Sequence, residues 1–375
     1  MRAYLDSAAT TPLHPEARKA IERWLDAGNA SSLHEEGRQA RQAIDEARET
    51  IGARLGCDFG EFLFCSGGTE AATMAILGAA LSDRDPQRNR VLVSAAEHHC
   101  VLNCAPALNK LGCSLELIPV DRYARVSLRA LERMVDGRTL LVAVMHANNE
   151  LGTINHLPPL AETCQRHGAL LYSDGAQTFG KLETRVRDLG VDLFSISGHK
   201  IGGPKGIGGL YIRAGVKLGP LIAGGGQERE MRGGTENVAA IAGFAAATRV
   251  SHDWTRVASL RDCLKNGIGA AVTAEEELLP GHLHVRFPGI TAEALLIQLD
   301  RRGVSAGSGA ACSSGSLEPS HVLLACGYSP TEAKEGLRLT LGWKTAQEEV
   351  EYAIDRIREA VESIIQGRTT RMMLQ

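Results

Sequence analysis

Lys200 is the residue of this sequence with the clearest capacity for chemistry. An apolar run over 191–196 precedes it and is typical of a buried strand of a parallel sheet. The glycine-rich stretch 201–209 that follows predicts a shaped loop. Desolvation at the end of a core strand lowers the pKa of an ammonium group and makes the amine a usable nucleophile. Taken alone, the same pattern also fits a solvated loop lysine.

An amine of this kind is needed for Schiff-base formation with a carbonyl compound, above all with pyridoxal 5'-phosphate (PLP). Other polar residues stand at the ends of predicted strands along the chain, namely Thr69, His98, Asn149, Asp174, Ser197 and His199. Strands and helices alternate through this region, which predicts an α/β fold with a mostly parallel sheet and helices on both faces. In such sheets the ligand lies outside the carboxyl ends of the strands, so these side chains should meet at one site.

Chemistry suggests a role for several of these side chains. Asp174 could keep a pyridine nitrogen protonated, so that the ring works as an electron sink. His98 could stack on the ring and move protons. The turn 66–70 contains two glycines and opens a helix, which favours an anion site that Thr69, Ser197 and His199 could complete. Each of these residues could equally be a satisfied buried polar group.

The last third of the chain changes character. Short strands and a long amphipathic helix from about 345 to 365 indicate a smaller α+β unit, which the N-terminal residues join. We therefore predict a large PLP-binding domain over residues 15–255 and a small domain formed by residues 1–14 and 256–375. In the small domain, Cys312 lies in a run of Gly, Ala and Ser that has no apolar face to pack. A mobile loop over about 305–318 with an accessible, reactive thiol is the prediction, against the alternative of a buried cysteine.

Composition excludes some classes of function. The 375 residues, 44% of them hydrophobic, can bury a large core, and a net charge of −3 does not favour direct nucleic-acid binding. No apolar stretch approaches the roughly 18 residues of a membrane span. Nine scattered cysteines suit a reducing, cytoplasmic compartment. Cys100 and Cys104 lie near His98, but no second ligand pair lies nearby in sequence, so no metal site is predicted.

Taken in order, the motifs resemble those of the PLP-dependent cysteine desulfurases, fold type I enzymes (aspartate-aminotransferase-like) that belong with the class V aminotransferases. The matching pieces are YLDSAATTP at 4–12, GNASSLHEEGR at 28–38, SGGTEA at 66–71, EHH at 97–99, HANNELG at 146–152, DGAQ at 174–177, SGHKIGGPKGIGGLY at 197–211, RGGTEN at 232–237 and ACSSGSLEPSHVL at 311–323. The match covers nearly the whole chain. The long interval between Cys312 and Arg338 resembles the group with a long cysteine loop, group I.

The resemblance implies a role for each matching residue. Lys200 would carry PLP as a Schiff base and take the α-proton of the substrate, and Cys312 would be the sulfur-accepting nucleophile. Asp174 would pair with the pyridine nitrogen, Gln177 would contact the phenolic oxygen, and His98 would stack on the ring as a third catalytic residue. The expected cofactor-binding set is Gly68, Thr69, His98, Asn149, Asp174, Gln177, Ser197, His199 and Lys200, with Thr235 from a second subunit of a homodimer. Arg338 and Asn149 would hold the substrate carboxylate.

The implied reaction converts L-cysteine to L-alanine and leaves a persulfide on Cys312 for a sulfur-acceptor protein. That acceptor could be an iron–sulfur scaffold, a tRNA-thiolation protein or a DNA-phosphorothioation protein. Two alternatives stay open at this point. One is another PLP enzyme, either a class V aminotransferase or a lyase acting on cysteine or cystine. The other is a non-catalytic sulfur carrier or scaffold.

Overall fold

The computed structural model describes residues 1–309 and 318–373. Within these residues the strands are β1 (Ala3–Tyr4), β2 (Phe62–Cys65), β3 (Arg90–Ser94), β4 (Ser114–Ile118), β5 (Thr139–Ala143), β6 (Leu170–Asp174), β7 (Leu193–Ser197), β8 (Gly208–Ile212), β9 (Ala271–Val272), β10 (His282–Arg286), β11 (Val304–Ser305) and β12 (Gly336–Thr340). The helices are α1 (Pro15–Arg23), α2 (Glu35–Leu55), α3 (Gly68–Leu81), α4 (His99–Leu102), α5 (Ala105–Lys110), α6 (Leu128–Met134), α7 (Leu157–Arg166), α8 (Val186–Leu189), α9 (Val238–Arg249), α10 (Trp254–Ile268), α11 (Ala292–Arg301), α12 (His321–Ala325), α13 (Pro330–Ala333) and α14 (Gln347–Met373).

A seven-stranded sheet forms the centre of the described structure, in the order β2-β8-β7-β6-β5-β3-β4. Its neighbouring strands pair in parallel, except that β8 is antiparallel to both β2 and β7. The predicted mostly parallel α/β sheet is therefore confirmed. Because β2, β3, β5, β6 and β7 all run in the same direction, the residues that follow them emerge at one edge of the sheet.

Helices cover both faces of this sheet, so the central strands are apolar on both sides. Each residue of β5 and β7 is buried. Successive residues alternate between two cores, since Phe194 packs into the core that contains α2 and α9, whereas Leu193 packs into the core that contains α3. A continuous apolar run, as opposed to alternation of polar and apolar residues, is the sequence signature of strands that are buried in this way.

The C-terminal third forms a second group of elements with its own core. β12, β10 and β9 make a three-stranded sheet, and β1 pairs in parallel with β11. The third core cluster joins Ala3 and Leu5 to residues of α10, α11 and α14. This shared core supports the division into residues 15–255 and residues 1–14 plus 256–375, which we retain as a proposal.

Some predicted boundaries differ from those of the structure. The helix expected over about 345–365 begins at Gln347 and continues to Met373. The glycine-rich loop expected over 201–209 is shorter, because β8 already begins at Gly208. Local sequence signals therefore do not mark these boundaries, since the helix continues through Gly367.

A buried ion pair holds the polar loop that precedes α9. Arg48 donates two hydrogen bonds to the carboxylate of Glu228, at 2.7 and 2.8 Å, and the backbone N–H of Phe64 donates to the same carboxylate at 2.8 Å. Glu228 and the next two residues have positive φ angles of 45°, 57° and 65°, a region that side-chain-bearing residues rarely adopt. Strain of this kind persists only when its surroundings hold it, and the paired, buried carboxylate supplies that restraint.

Candidate active site

A cavity of about 260 Å³ lies where the parallel strands end. Its lining residues are Gly68, Thr69, His98, Cys100, Met145, Ala147, Asn149, Asp174, Ala176, Gln177, Ser197, His199 and Lys200. Every site residue predicted from the sequence is in this set except Thr235, Arg338 and Cys312. The cavity therefore assembles, from distant parts of the chain, the side chains that the strand-end pattern predicted.

Lys200 lies in a short 3₁₀ turn directly after β7. Its Nζ donates to the carbonyl oxygen of Ala8 at 2.5 Å and to that of Ala9 at 2.9 Å. These carbonyls belong to the N-terminal segment that follows β1, so residues far apart in sequence orient the amine. Two backbone carbonyls thus fix the position of the amine in the cavity.

The same N-terminal segment also holds His199. Thr10 Oγ1 lies 3.1 Å from the Nδ1 atom of His199, and Thr11 donates to the carbonyl of His199 through its backbone N–H at 3.0 Å and its hydroxyl at 2.8 Å. Burial, together with the nearby positive charge of Lys200, lowers the pKa of His199 to about 4. The imidazole is consequently neutral at pH 7 and serves the site as a hydrogen-bonding group.

Asp174 is the last residue of β6, and a chain of hydrogen bonds fixes its carboxylate. Oδ1 accepts from the backbone N–H of Ala176 at 2.8 Å and from the hydroxyl of Ser195 at 3.3 Å. The hydroxyl of Tyr172 lies 2.8 Å from that of Ser195 and is therefore its donor. The next residue must be glycine, because a Cβ atom at Gly175 would lie 2.0 Å from the ring of Phe194. Packing and hydrogen bonds thus aim one carboxylate into the cavity.

The turn between β2 and α3 supplies another part of the cavity lining. Gly68 and Thr69 are the first residues of a 14-residue helix, whose free N–H groups and dipole favour an anion. Glu70 is turned away from that anion position, because its carboxylate accepts from the N–H of Ser66 at 2.7 Å and from Arg232 at 2.8 Å. The helix terminus is therefore available for a phosphate group.

His98 lies at the end of the loop after β3 and is the N-cap residue of α4. Its Nδ1 accepts from the backbone N–H of Cys100 at 3.2 Å. Burial lowers the pKa of His98, although the negative charge of Asp174 partly opposes this shift. A neutral ring beside the cavity is suited to stacking on an aromatic cofactor and to proton transfer.

Arg338 lies in β12, outside the lining of the cavity but in contact with it. Its Nη1 donates to the backbone carbonyl of Asn149 at 3.0 Å, and its Nη2 donates to the carboxylate of Asp6 at 2.9 Å. Asn149 lines the cavity, and its buried Oδ1 atom has no hydrogen-bond partner among the described residues. The two residues predicted to bind a carboxylate are thus brought together.

Of the remaining predicted residues, Thr235 lies apart from this cavity. Thr235 lines a different cavity of about 220 Å³, which it shares with Glu228 and Arg232. Cys312 and most of the predicted mobile loop lie outside the described residues. The described flanks contact Glu150: Ser320 donates to its carboxylate at 2.5 Å, and a Cβ atom at Gly309 would lie 2.3 Å from it.

Sequence reasoning missed several residues that the structure places at or behind the cavity. Cys100, Met145, Ala147 and Ala176 line it, and Tyr172, Ser195 and the carbonyls of Ala8 and Ala9 support it. Ala147 and Ala176 lie two residues from the predicted residues Asn149 and Asp174, so their place in the cavity could have been predicted from the sequence. The N-terminal carbonyls carried no such signal. Within residues 1–309 and 318–373, no group of three or more His, Cys, Asp or Glu side chains is arranged to hold a metal ion.

Comparison with known proteins agrees with this geometry. The family model described as aminotransferase class-V matches residues 3–353. The chain is 40% identical to the cysteine desulfurase IscS of Dictyoglomus turgidum, over 96% of this chain and 95% of the relative. It is 39% identical to the cysteine desulfurase IscS 1 of Archaeoglobus fulgidus, over 97% of each. Among solved structures, a NifS-like protein has a TM-score of 0.89 at 33% identity and covers 96% of this chain and 100% of its own.

The chain belongs to the class V aminotransferase family. Within that family it is one of the PLP-dependent cysteine desulfurases of fold type I, as the relatives that match over its whole length indicate. A second solved structure, SspA in complex with cysteine, has a TM-score of 0.84 at 31% identity over 92% of this chain and 100% of its own.

The residues of the cavity fit PLP. The cofactor has an anionic phosphate, for which the N-terminus of α3 with Gly68 and Thr69 is available. It has a ring nitrogen that a carboxylate keeps protonated, and Asp174 lines the same cavity. Its aldehyde needs an amine, and Lys200 supplies the amine group that lines the cavity. The unpartnered Oδ1 of Asn149 is a further polar atom that a ligand would satisfy.

Glu97, beside His98, gives a test of how strongly this region is desolvated. Its Oε1 accepts from the backbone N–H of Met145 at 2.5 Å, whereas its buried Oε2 has no partner among the described residues. Burial, with a smaller contribution from the charge of Asp174, raises the pKa of Glu97 from 4.5 to about 8. The folded protein therefore keeps a proton on Glu97 that the unfolded chain releases above pH 4.5.

We expect the free energy of unfolding of the wild type to fall, because of Glu97, as the pH rises from 4.5 to about 8. Glu97→Gln has no group that titrates at this position. The free energy of unfolding of Glu97→Gln minus that of the wild type should therefore increase between pH 4.5 and about 8, by at most about 1.4 kcal/mol per pH unit. Denaturant unfolding at a series of pH values measures the difference. Glu116→Gln is the control, since Arg90 lowers the pKa of Glu116 and its difference should stay constant above pH 4.5. A pH-independent difference for Glu97→Gln would mean that Glu97 is ionised in the folded protein.

Proposed function

We propose that this protein removes sulfur from L-cysteine, releases L-alanine and passes the sulfur on as a persulfide carried by Cys312. The observation that carries the proposal is one cavity in which Lys200, Asp174 and His98 meet beside Arg338, in a chain that matches cysteine desulfurases over its full length. The complex of the related SspA with cysteine supports the choice of substrate. The aminotransferase and lyase alternatives, and that of a non-catalytic carrier, have no comparable support.

The residues of the cavity that were predicted from the sequence each contribute a defined function. PLP, when bound, supplies an electron sink that lets the substrate lose its α-proton and stabilises the negative charge left behind. Lys200 binds the cofactor and then moves the proton at the substrate Cα. Asp174 holds a proton on the ring nitrogen, and His98 covers the ring and transfers protons. Gly68, Thr69, Ser197 and His199 bind the phosphate, and Gln177 contacts the phenolic oxygen.

Arg338 and Asn149 bind the substrate carboxylate. A guanidinium group suits a carboxylate because its planar N–H donors match the two oxygens. The side chain of Arg338 is only 4% exposed, so its pair with Asp6 lies in a desolvated environment where charge counts for more than in water. Asp6 keeps the guanidinium in place before substrate arrives, while the backbone carbonyl of Asn149 fixes its other nitrogen.

Cys312 completes the reaction as the nucleophile. Its thiolate forms a bond with the substrate sulfur while the Cβ–S bond of the substrate breaks, and Cβ gains a proton to give alanine. The enzyme thiol and L-cysteine are thereby converted to an enzyme persulfide and L-alanine, with no external oxidant or reductant. The described cysteine that lines the cavity, Cys100, is a poor competitor, because burial raises its pKa and disfavours the thiolate.

A homodimer, a cytoplasmic location and a protein acceptor belong to the same proposal. Thr235 lies away from the Lys200 cavity of its own chain, in keeping with a contribution to the phosphate site of a second copy. The nine scattered cysteines are in keeping with a reducing compartment. The acceptor is an iron–sulfur scaffold, a tRNA-thiolation protein or a DNA-phosphorothioation protein. Within the described residues, no helix is both long enough and apolar enough to cross a membrane.

The decisive experiment gives the PLP-loaded protein L-cysteine and a reducing thiol and quantifies alanine and sulfide. We expect equal yields of the two products, and Cys312→Ala should lower both rates by more than about 10³-fold. Cys263→Ala is the matched control, since Cys263 is a partly exposed thiol of α10, outside the cavity, and should retain the wild-type rate.

A second measurement locates the persulfide. After one turnover without reducing thiol, mass spectrometry should find one extra sulfur atom on the peptide that contains Cys312. Sulfide accompanied by pyruvate and ammonia, and insensitive to the Cys312 substitution, would identify a lyase in place of a desulfurase. Extra sulfur on Cys100 would reject the assignment of the nucleophile.

A further inference from the structure

Lys181 is a buried lysine behind the cavity that no step of the proposed reaction uses. It is 8% exposed, and its Nζ donates to Oε1 of Gln177 at 3.1 Å. Within the described part of the chain, that amide oxygen is its hydrogen-bond partner, and no carboxylate forms an ion pair with it. Burying an ammonium group without a negative partner is costly, so a lysine at such a position calls for a functional reason.

The contact determines which way the amide of Gln177 faces. In its ammonium form Lys181 can only donate, so that form requires the oxygen of the amide. On the other side, Nε2 of Gln177 donates to the carbonyl of Ala8 at 2.9 Å, and a carbonyl can only accept. Two independent partners thus demand the same orientation. Nε2 carries a second hydrogen, which has no acceptor among the described residues, and Gln177 lines the cavity.

Lys181 also adds positive charge to one side of the cavity. The charged or titratable groups that face it are Lys200, Arg338, His199 and His282. Burial lowers the pKa of His199 to about 4 and that of His282 well below 6.5, so both histidines are neutral at pH 7. Burial, followed by the charges of Lys200 and Arg338, also lowers the pKa of Lys181 to about 7. Below about pH 7, where Lys181 is protonated, it adds its charge to that of Arg338, and such surroundings favour an anionic oxygen on the ligand.

We propose that Lys181 is a positioning residue that acts through Gln177: it holds the amide with its N–H group towards the phenolic oxygen of PLP and stabilises the negative charge on that oxygen. The proposal rests on the contact between Gln177 and PLP given under the proposed function. A lysine suits this role better than a neutral residue, because a donor-only group leaves the amide a single orientation.

The test uses full-length protein with Lys181→Met, Gln177→Ala and both substitutions. The readouts need no L-cysteine: the dissociation constant of PLP from the apo-protein, and the pH midpoint at which the visible absorbance of the bound cofactor changes. Losing a hydrogen bond that involves a charged group should weaken PLP binding by roughly 10- to 100-fold in Lys181→Met. The midpoint should rise, because loss of the positive charge of Lys181 makes the protonated cofactor–Lys200 linkage harder to deprotonate.

The double variant distinguishes indirect from direct action. If Lys181 acts through Gln177, then Lys181→Met adds little to Gln177→Ala in either readout. Multiplicative losses, or an unchanged affinity and midpoint in Lys181→Met, would overturn the proposal. Gln177→Glu keeps the contact with Lys181 but removes the N–H donor, and with it the hydrogen bond to the carbonyl of Ala8, so it should bind PLP weakly; wild-type binding would also overturn the proposal. None of these outcomes depends on desulfurase turnover, so they stand apart from a failure of the proposed activity.

Discussion

Lys200→Ala is expected to lower the rates of alanine and sulfide formation by roughly 10³-fold or more, because it removes the proposed cofactor attachment and the proposed proton-transfer group. The amine is already placed by two backbone carbonyls, those of Ala8 and Ala9, at 2.5 and 2.9 Å. Removing the side chain leaves these carbonyls in the cavity wall, and no other lysine lines the cavity among the described residues.

The matched control is Lys205→Ala. Lys205 belongs to the same glycine-rich stretch, but it is exposed and lies outside the cavity lining, so its loss should leave the rate unchanged. Borohydride reduction of the loaded protein followed by peptide mapping gives a readout that is independent of turnover. The reduced cofactor should be attached to Lys200 in the wild type and in Lys205→Ala, and to no peptide in Lys200→Ala.

One outcome would contradict the assignment of Lys200 directly. Lys181 is buried nearby and has a pKa lowered to about 7, so it is the lysine best placed to compete as an amine. A reduced cofactor on Lys181 in the wild-type protein would exchange the roles of the two residues. Attachment to Lys200 together with full turnover by Lys200→Ala would instead show that the attachment is dispensable for the reaction.

The strand ends of the site could be predicted from the sequence, and physical reasons explain why. Strands that are buried on both faces have continuous apolar sequences, so the residue at which such a strand ends can be predicted from the sequence. Asp174 and Ser197 are indeed the last residues of β6 and β7. Parallel strands also share an edge, so one rule places residues from five separate strands together.

Contacts from distant parts of the chain could not be predicted in this way. The carbonyls of Ala8 and Ala9 meet Lys200 across more than half the chain, and a backbone oxygen carries no residue-type signal. The pair between Asp6 and Arg338 joins the two ends of the sequence and depends on the small core that packs β1 with the C-terminal elements. The role of Arg338 was predicted from the family resemblance, whereas its ion pair with Asp6 is found only in the structure.

The burial of Lys181 also could not be predicted from the sequence. It follows a glycine and lies in no helical or strand periodicity, so the sequence gives no sign that it is buried. It is buried because the turn after β6 folds under Gln177, with the N–H of Lys181 donating to the carbonyl of Thr178 at 2.9 Å. Local turn geometry, and not composition, determines the environment of that amine.

Asp174→Asn is expected to lower the rate of L-cysteine consumption by roughly 10²–10³-fold while leaving the fold intact. Asparagine has nearly the same shape and keeps the oxygen that accepts from Ala176 and Ser195, so the strand end should not move. It lacks the negative charge that keeps a ring nitrogen protonated. The effect should therefore fall on kcat, because the charge matters most when the ring draws electrons from the substrate.

A second buried aspartate of the same sheet makes this prediction specific. Asp192 has the same 9% exposure as Asp174, but it lies just before β7, at the other end of the strands, where it accepts from Leu171 N–H at 2.7 Å and from Arg213 at 2.6 Å. Asp192→Asn should lower the melting temperature, since it weakens a partly buried ion pair, and leave kcat of the folded enzyme unchanged. Equal losses of kcat in the two variants would mean that Asp174 acts through stability alone. If kcat falls only in Asp174→Asn, and that variant still binds the cofactor, the reaction needs a negative charge at the carboxyl ends of the strands.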